Sequence, residues 1–169
     1  MKSFLSIFLL LSLCFSSYAS ETDKVSIYEL SFNNVDQQSI SLADFEGKVI
    51  LVNFWATWCP PCVKEMPSMQ RLRSHFDSHP FEIIAINAGE DPTTISSFLL
   101  ELETELTFPI LLDEQNRSFN EFGIRGLPMS ILFDQNGKLV ETILGGREWD
   151  SPEAISKIEK LLEKKQPAA

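Results

Sequence analysis

Cys59-Pro60-Pro61-Cys62 is the stretch whose residue types and spacing can do chemistry. Two thiols separated by two residues can close a small disulfide ring and reopen it, passing two electrons to another thiol pair. The same two thiols could also form half of a tetrahedral metal site. What presents them narrows the choice. Upstream, Val49-Ile50-Leu51-Val52-Asn53-Phe54-Trp55 is an apolar, β-branched and aromatic run without alternation, as in a strand buried on both faces. Downstream, Val63, Met66, Met69 and Leu72 recur at helical spacing among Lys64, Glu65, Gln70, Arg71 and Arg73. The cysteines therefore fall where a strand's carboxyl end meets a helix amino terminus. Unpaired amides and the positive end of the helix dipole favour a thiolate there.

A purely structural disulfide across so short a loop removes little chain entropy. A metal site needs more ligands, and His75 and His79 lie more than three helical turns beyond Cys62. Neither a metal nor a cofactor is therefore expected. Cys59, at the end of the strand, is the expected nucleophile, and Cys62, one turn into the helix, the more buried resolving thiol. Glu65 follows Cys62 by three residues, on a neighbouring helix face. The residues alone leave it two roles. It is either an exposed partner of Lys64 or Arg71, or a buried acid whose pKa desolvation raises towards a useful value.

Beyond these residues, the chain is 169 residues long, with 14 basic and 24 acidic side chains and a net charge of −10. That balance argues against nucleic acid or an anionic membrane surface as a partner. Residues 1–19 read as a secretory signal: Lys2, an apolar stretch from Phe4 to Phe15, then Ser17-Tyr18-Ala19. The apolar stretch is shorter than the ~20 residues of a spanning helix, so cleavage is expected over retention as an anchor, with residues 20–169 forming one domain. Cys14 would leave with the signal.

The remaining elements follow in order. Residues 25–32 and 39–41 suggest a hairpin turning over 33–38, and 41–47 a single helical turn stopped at Gly47. Pro67 is expected to kink the helix after the cysteines without ending it, because the apolar spacing continues to Phe76. A second buried strand is expected over 81–87. A helix capped by Asp91, with Pro92 at its first position, should follow. A short strand over 108–112 and a short helix over 116–122 lead to a hairpin, 130–133 and 139–144, turning at Asn136-Gly137. Ser151-Pro152-Glu153 opens a last helix with Ile155, Ile158, Leu161 and Leu162 inward and Lys164-Lys165 at its end. This order implies an α/β domain with a central mixed sheet and helices on both faces.

Taken jointly, the run from Leu51 through Trp55-Ala56, Trp58-Cys59-Pro60-Pro61-Cys62 and Pro67, with Arg125-Gly126-Leu127-Pro128 far downstream, resembles the thioredoxin superfamily. Within it the chain resembles the exported TlpA/ResA/CcmG (DsbE) branch over nearly all of its length past the signal. The branch's amino-terminal hairpin corresponds to 25–41 and its inserted strand and helix to about 82–106. The resemblance implies a thioredoxin-like fold and a thiol–disulfide oxidoreductase cycling between dithiol and disulfide at Cys59 and Cys62. It implies that Pro128 is cis and faces the cysteines. Trp58, Pro60, Pro61, Leu127 and Pro128 then lie against the client chain, with the Leu127 backbone open to β-type pairing. Met129 departs from the threonine usual after this proline.

Asn53 stands where thioredoxins carry a buried aspartate, and cannot shuttle a proton. The resemblance assigns that task to Glu65. Pro60 and Pro61 remove two amide donors from the reach of a Cys59 thiolate, so the chain is expected to be a reductant. The partners implied are disulfide-containing proteins outside the cytoplasm, such as apocytochromes c or copper-site proteins, and a membrane electron donor. The expected setting is the periplasm or the outer face of a bacterial membrane, with the protein a monomer. Two other classes fit less well. A copper-binding assembly factor would have three residues between its cysteines and a distal histidine. The nucleophile of a thiol peroxidase would lack so close a partner cysteine.

Overall fold

All seven residues from Val49 to Trp55 are 0% exposed, which puts this strand in the middle of a sheet. The computed structural model describes residues 26–164; the expected signal, Cys14 and Lys165 lie outside them. Along the described chain run β1 (Ser31–Asn34), β2 (Ser39–Ser41), β3 (Val49–Trp55), α1 (Pro60–His75), β4 (Phe81–Ala88), α2 (Pro92–Glu101), β5 (Ile110–Asp113), α3 (Arg117–Glu121), β6 (Met129–Phe133), β7 (Leu139–Leu144) and α4 (Pro152–Glu163). The strands form one sheet in the order β2-β1-β5-β4-β3-β6-β7. β3 pairs in parallel with β4 and antiparallel with β6, so the sheet is mixed, as expected.

The period-two geometry of β3 sends its side chains to two different layers. Leu51 and Trp55 join Met66, Met69 and Leu72 of α1, Ile95 of α2, and Ile158 and Leu161 of α4. Ile50, Val52 and Phe54 join Leu42, Ile124 and Ile131, with Phe119 of α3 packed against them. Helices thus cover both faces. The fold is thioredoxin-like, with β4 the parallel neighbour of β3 at the centre of the sheet and α2 following it.

Local chemistry explains the helix starts. Prolines at the first positions of α1, α2 and α4 lack an N–H where none would be paired. Asp91 accepts the amides of Thr93 and Thr94, and Ser151 that of Ala154. Helix α1 continues through Pro67 because its buried face, Met66, Met69 and Leu72, keeps its spacing on both sides.

One local expectation needs correcting. The strand expected over 25–32 is instead a 3-10 turn at Ile27–Glu29, and β1 begins only at Ser31. Ser26 Oγ accepts the Tyr28 amide and offers the backbone a local alternative to the sheet. The hairpin of β6 and β7 does turn at Asn136-Gly137, with Gly137 alone of the pair at positive φ. Asp134 pairs with Lys138 across a three-residue loop, and its side chain accepts the amides of Asn136 and Lys138. Gly137 is required for a second reason: a Cβ there would lie 2.5 Å from the Tyr28 ring.

Candidate active site

Cys59 is the residue that caps α1, and it is joined to Cys62 by a disulfide. Cys59 keeps 4% of its surface and Cys62 none, so any opening onto the sulfurs is on the Cys59 side and is narrow. Trp55 is buried in the core, whereas Trp58, just before the disulfide, is 67% exposed. Pro60 and Pro61 are also exposed. The turn from β3 into α1 is held by a residue that the sequence does not single out. Glu90 Oε2 accepts the Thr57 amide at 2.7 Å and the Asn87 carboxamide at 2.8 Å. In sequence Glu90 is merely an acidic neighbour of the cap Asp91.

A side chain at the cap position ordinarily accepts an amide from the second or third helical residue. Cys59 receives neither. Pro61 has no amide, and the Cys62 and Val63 amides both donate to the Cys59 carbonyl, at 3.0 and 3.2 Å. The helix dipole still points at Cys59, but the discrete donors that would hold a thiolate are spent elsewhere.

Glu65 is 2% exposed, so its place is inside the protein and not paired with Lys64 or Arg71 at the surface. Its Oε1 accepts Asn53 Nδ2 at 2.8 Å. Its Oε2 accepts the Trp149 indole N–H at 2.9 Å and the Arg147 amide at 3.1 Å. Burial raises the pKa of Glu65 above the usual carboxylate range. The Trp149, Arg147 and Asn53 hydrogen bonds and the Arg147 charge pull the other way without cancelling it. A second clip joins the same elements, since Ser68 Oγ donates to the Glu65 carbonyl and accepts the Trp149 amide. The segment between β7 and α4 is thereby fastened to α1. Neither Arg147 nor Trp149 could be found from sequence, because nothing local links them to Glu65.

The Leu127–Pro128 peptide is cis. Pro128 is buried and Leu127 half-buried, and the Pro128 carbonyl accepts the Gly145 amide at 2.8 Å. Gly146 then passes so close to α1 that a Cβ would lie 3.1 Å from the Pro61 carbonyl and 3.6 Å from Glu65 Oε2. Pro128, Gly145, Gly146 and Pro61, the last lying between the two cysteines in sequence, are thus linked by a run of close contacts. A cavity of about 330 Å³ opens there, lined by Pro61, Lys64, Glu65, Gly146, Arg147 and Glu148. Among the described residues no group of three or more His, Cys, Asp or Glu side chains is arranged to hold a metal ion. His75 is the last residue of α1, far from the cysteines at its start.

The geometry is that of a two-thiol redox site with a buried carboxyl group on the same helix. The Redoxin family profile matches residues 22–162. The thiol-disulfide oxidoreductase ResA of Geobacillus thermodenitrificans is 33% identical over 152 residues, covering 86% of each chain. ResA of Halalkalibacterium halodurans is 39% identical over 113 residues, which are 67% of this chain and 63% of that relative's length. Among solved structures, a thiol:disulfide interchange protein of the thioredoxin family from Chlorobium tepidum superposes with a TM-score of 0.65 at 29% identity. That match covers 76% of this chain and 92% of the other. With the profile covering nearly all of the described fold and both cysteines, the chain belongs to the Redoxin family and is a thiol–disulfide oxidoreductase.

Proposed function

We propose that this oxidoreductase works outside the cytoplasm as a reductant of protein disulfides. The observation that carries the reading is the Cys59–Cys62 disulfide at the start of α1, where Cys59 has no amide donor to itself and buried Glu65 lies one turn away. In the reduced protein, the Cys59 thiolate attacks one sulfur of a client disulfide. The client's S–S bond breaks, a Cys59–client disulfide forms, and the first client thiolate leaves and takes up a proton. Cys62 then gives its proton to the Glu65 carboxylate and attacks Cys59 Sγ. This expels the second client thiolate and closes the Cys59–Cys62 bond. Two electrons have passed to the client, and a membrane thiol donor must return them.

Recognition of the client falls to Trp58, Pro60, Pro61, Leu127 and Pro128. Trp58 offers an exposed apolar face, and no hydrogen bond within the described residues engages the Leu127 N–H or C=O. An extended client segment can pair with that peptide as an added strand. The signal-like residues 1–19 support export, with residues 20–169 as the mature domain. The resemblance to the TlpA/ResA/CcmG branch favours clients whose cysteine pairs await haem or copper, for instance apocytochromes c. Trapping tests the reading. The Cys62→Ser variant should accumulate mixed disulfides through Cys59 with a peptide carrying a disulfide, and the wild type should not. Peroxide consumption with no adduct on any disulfide peptide would overturn it.

A further inference from the structure

We propose that Asn53 is a positioning residue that sets the proton affinity of Glu65, holding this acid towards its ionised form through a carboxamide N–H. The residue is 0% exposed at the centre of β3. Both hydrogens of its Nδ2 are committed, one to Glu65 Oε1 at 2.8 Å and the other to Ser130 Oγ at 2.9 Å on the neighbouring strand β6. Its Oδ1 is buried and has no partner. Leaving a buried acceptor unmade is unfavourable, so the orientation that does so is held by the two bonds that its Nδ2 hydrogens make. Breaks in local rules of this kind concentrate at functional positions. Here the break keeps a donor, and not an acceptor, against Glu65.

The orientation follows from the partners. Reversing the carboxamide would set Oδ1 against Oε1 of an ionised Glu65, lone pair against lone pair. It would also strip both Nδ2 hydrogens of their acceptors. Trp149 Nε1 and the Arg147 amide can likewise only donate. Every hydrogen-bonding partner of the carboxyl group therefore favours the anion, against the burial that favours the acid. Asn53 is the one partner supplied by the central strand, and Ser130 fixes its angle. The charged groups that line the cavity with Glu65 are Lys64 of its own helix and Arg147 and Glu148 of the segment packed on it, and Cys62 precedes it by three residues on the helix. β3 and β6 present only uncharged Asn53 and Ser130. The consequence for exchange rests on the reading of Glu65 as the acceptor of the Cys62 proton. The effect on Glu65 itself does not.

The test follows the Glu65 side-chain carboxyl by carbon-13 NMR in the disulfide form, where neither cysteine titrates. In Asn53→Leu its midpoint should rise by about one pH unit, a tenfold gain in proton affinity. Ser130→Ala, which leaves the carboxamide in place but frees it to turn, should move the midpoint the same way by less, and serves if Asn53→Leu does not fold. Midpoints unchanged in the folded variants, or lowered, would overturn the proposal. The pH dependence of disulfide exchange is read in parallel. A Glu65 midpoint that moves while the pH–rate profile does not would leave Asn53's role standing and refute Glu65 as the proton acceptor.

Discussion

The Trp149 indole N–H donates to Glu65 Oε2 across 2.9 Å, joining residues 84 positions apart. Through this bond the segment that leaves β7 is tied to the helix that carries the cysteines. Trp149→Phe keeps most of the ring's packing and removes the donor. A hydrogen bond to a charged group contributes about 2 kcal/mol, so the variant should lose about that much stability where Glu65 is ionised and less where it is protonated. Urea unfolding at about pH 8 and pH 4 checks this. An equal loss at both would mean that only packing was removed.

Glu65→Gln should slow disulfide exchange by about a hundredfold, within the range of general acid–base catalysis, and change the shape of its pH profile. Superimposable pH–rate curves would remove Glu65 from the mechanism. Stability supplies a second readout with a definite sign. The folded pKa of Glu65 is raised by burial. Between its unfolded and folded values the native protein therefore holds more protons than the unfolded chain, and stability falls as pH rises through that window. Wild type should thus lose stability relative to Glu65→Gln from acid to neutral pH.

Gly146→Ala places a methyl group 3.1 Å from the Pro61 carbonyl and 3.6 Å from Glu65 Oε2. Backbone is the obstacle, so the segment must move off α1 by a few tenths of an ångström. Exchange with a disulfide peptide should slow several-fold while the far-ultraviolet circular dichroism stays unchanged. Full activity would show that the closeness of this segment to α1 is incidental.

Away from the cysteines, Arg73 Nε bonds Glu82 Oε1 at 2.7 Å, with Lys48 at 3.5 Å from the other oxygen. The Glu82 side chain is only 7% exposed. Arg73→Ala would remove that charged hydrogen bond and leave the buried carboxylate to Lys48 alone, at a cost of about 2 kcal/mol, or roughly 6 °C in Tm. Exchange at a permissive temperature should be unaffected. Slower exchange would tie this ion pair to the active site.

Much of this was legible in the sequence, and the boundary has physical causes. Val49 to Trp55 announced a central strand because burial on both faces leaves no alternation. The helix starts were visible because proline and an adjacent cap act over two or three residues. The 3-10 turn at Ile27–Glu29 was not, since the Ser26 side chain's bond to the Tyr28 amide competes locally with strand pairing and leaves no periodic signal. Glu65 stood out by its spacing from Cys62, but its burial was not decidable locally. The groups that bury it converge from two distant places, Asn53 from β3 and Arg147 and Trp149 from the segment between β7 and α4. Glu90, which holds Thr57, had no sequence signal at all.

The central claim is that a Cys59 thiolate without its own amide donors makes the reduced protein an electron donor. The most direct test is a redox titration of the Cys59–Cys62 couple against glutathione buffers. The account predicts a midpoint nearer thioredoxin's roughly −270 mV than the roughly −120 mV of the oxidant DsbA. A midpoint close to the DsbA value would contradict it.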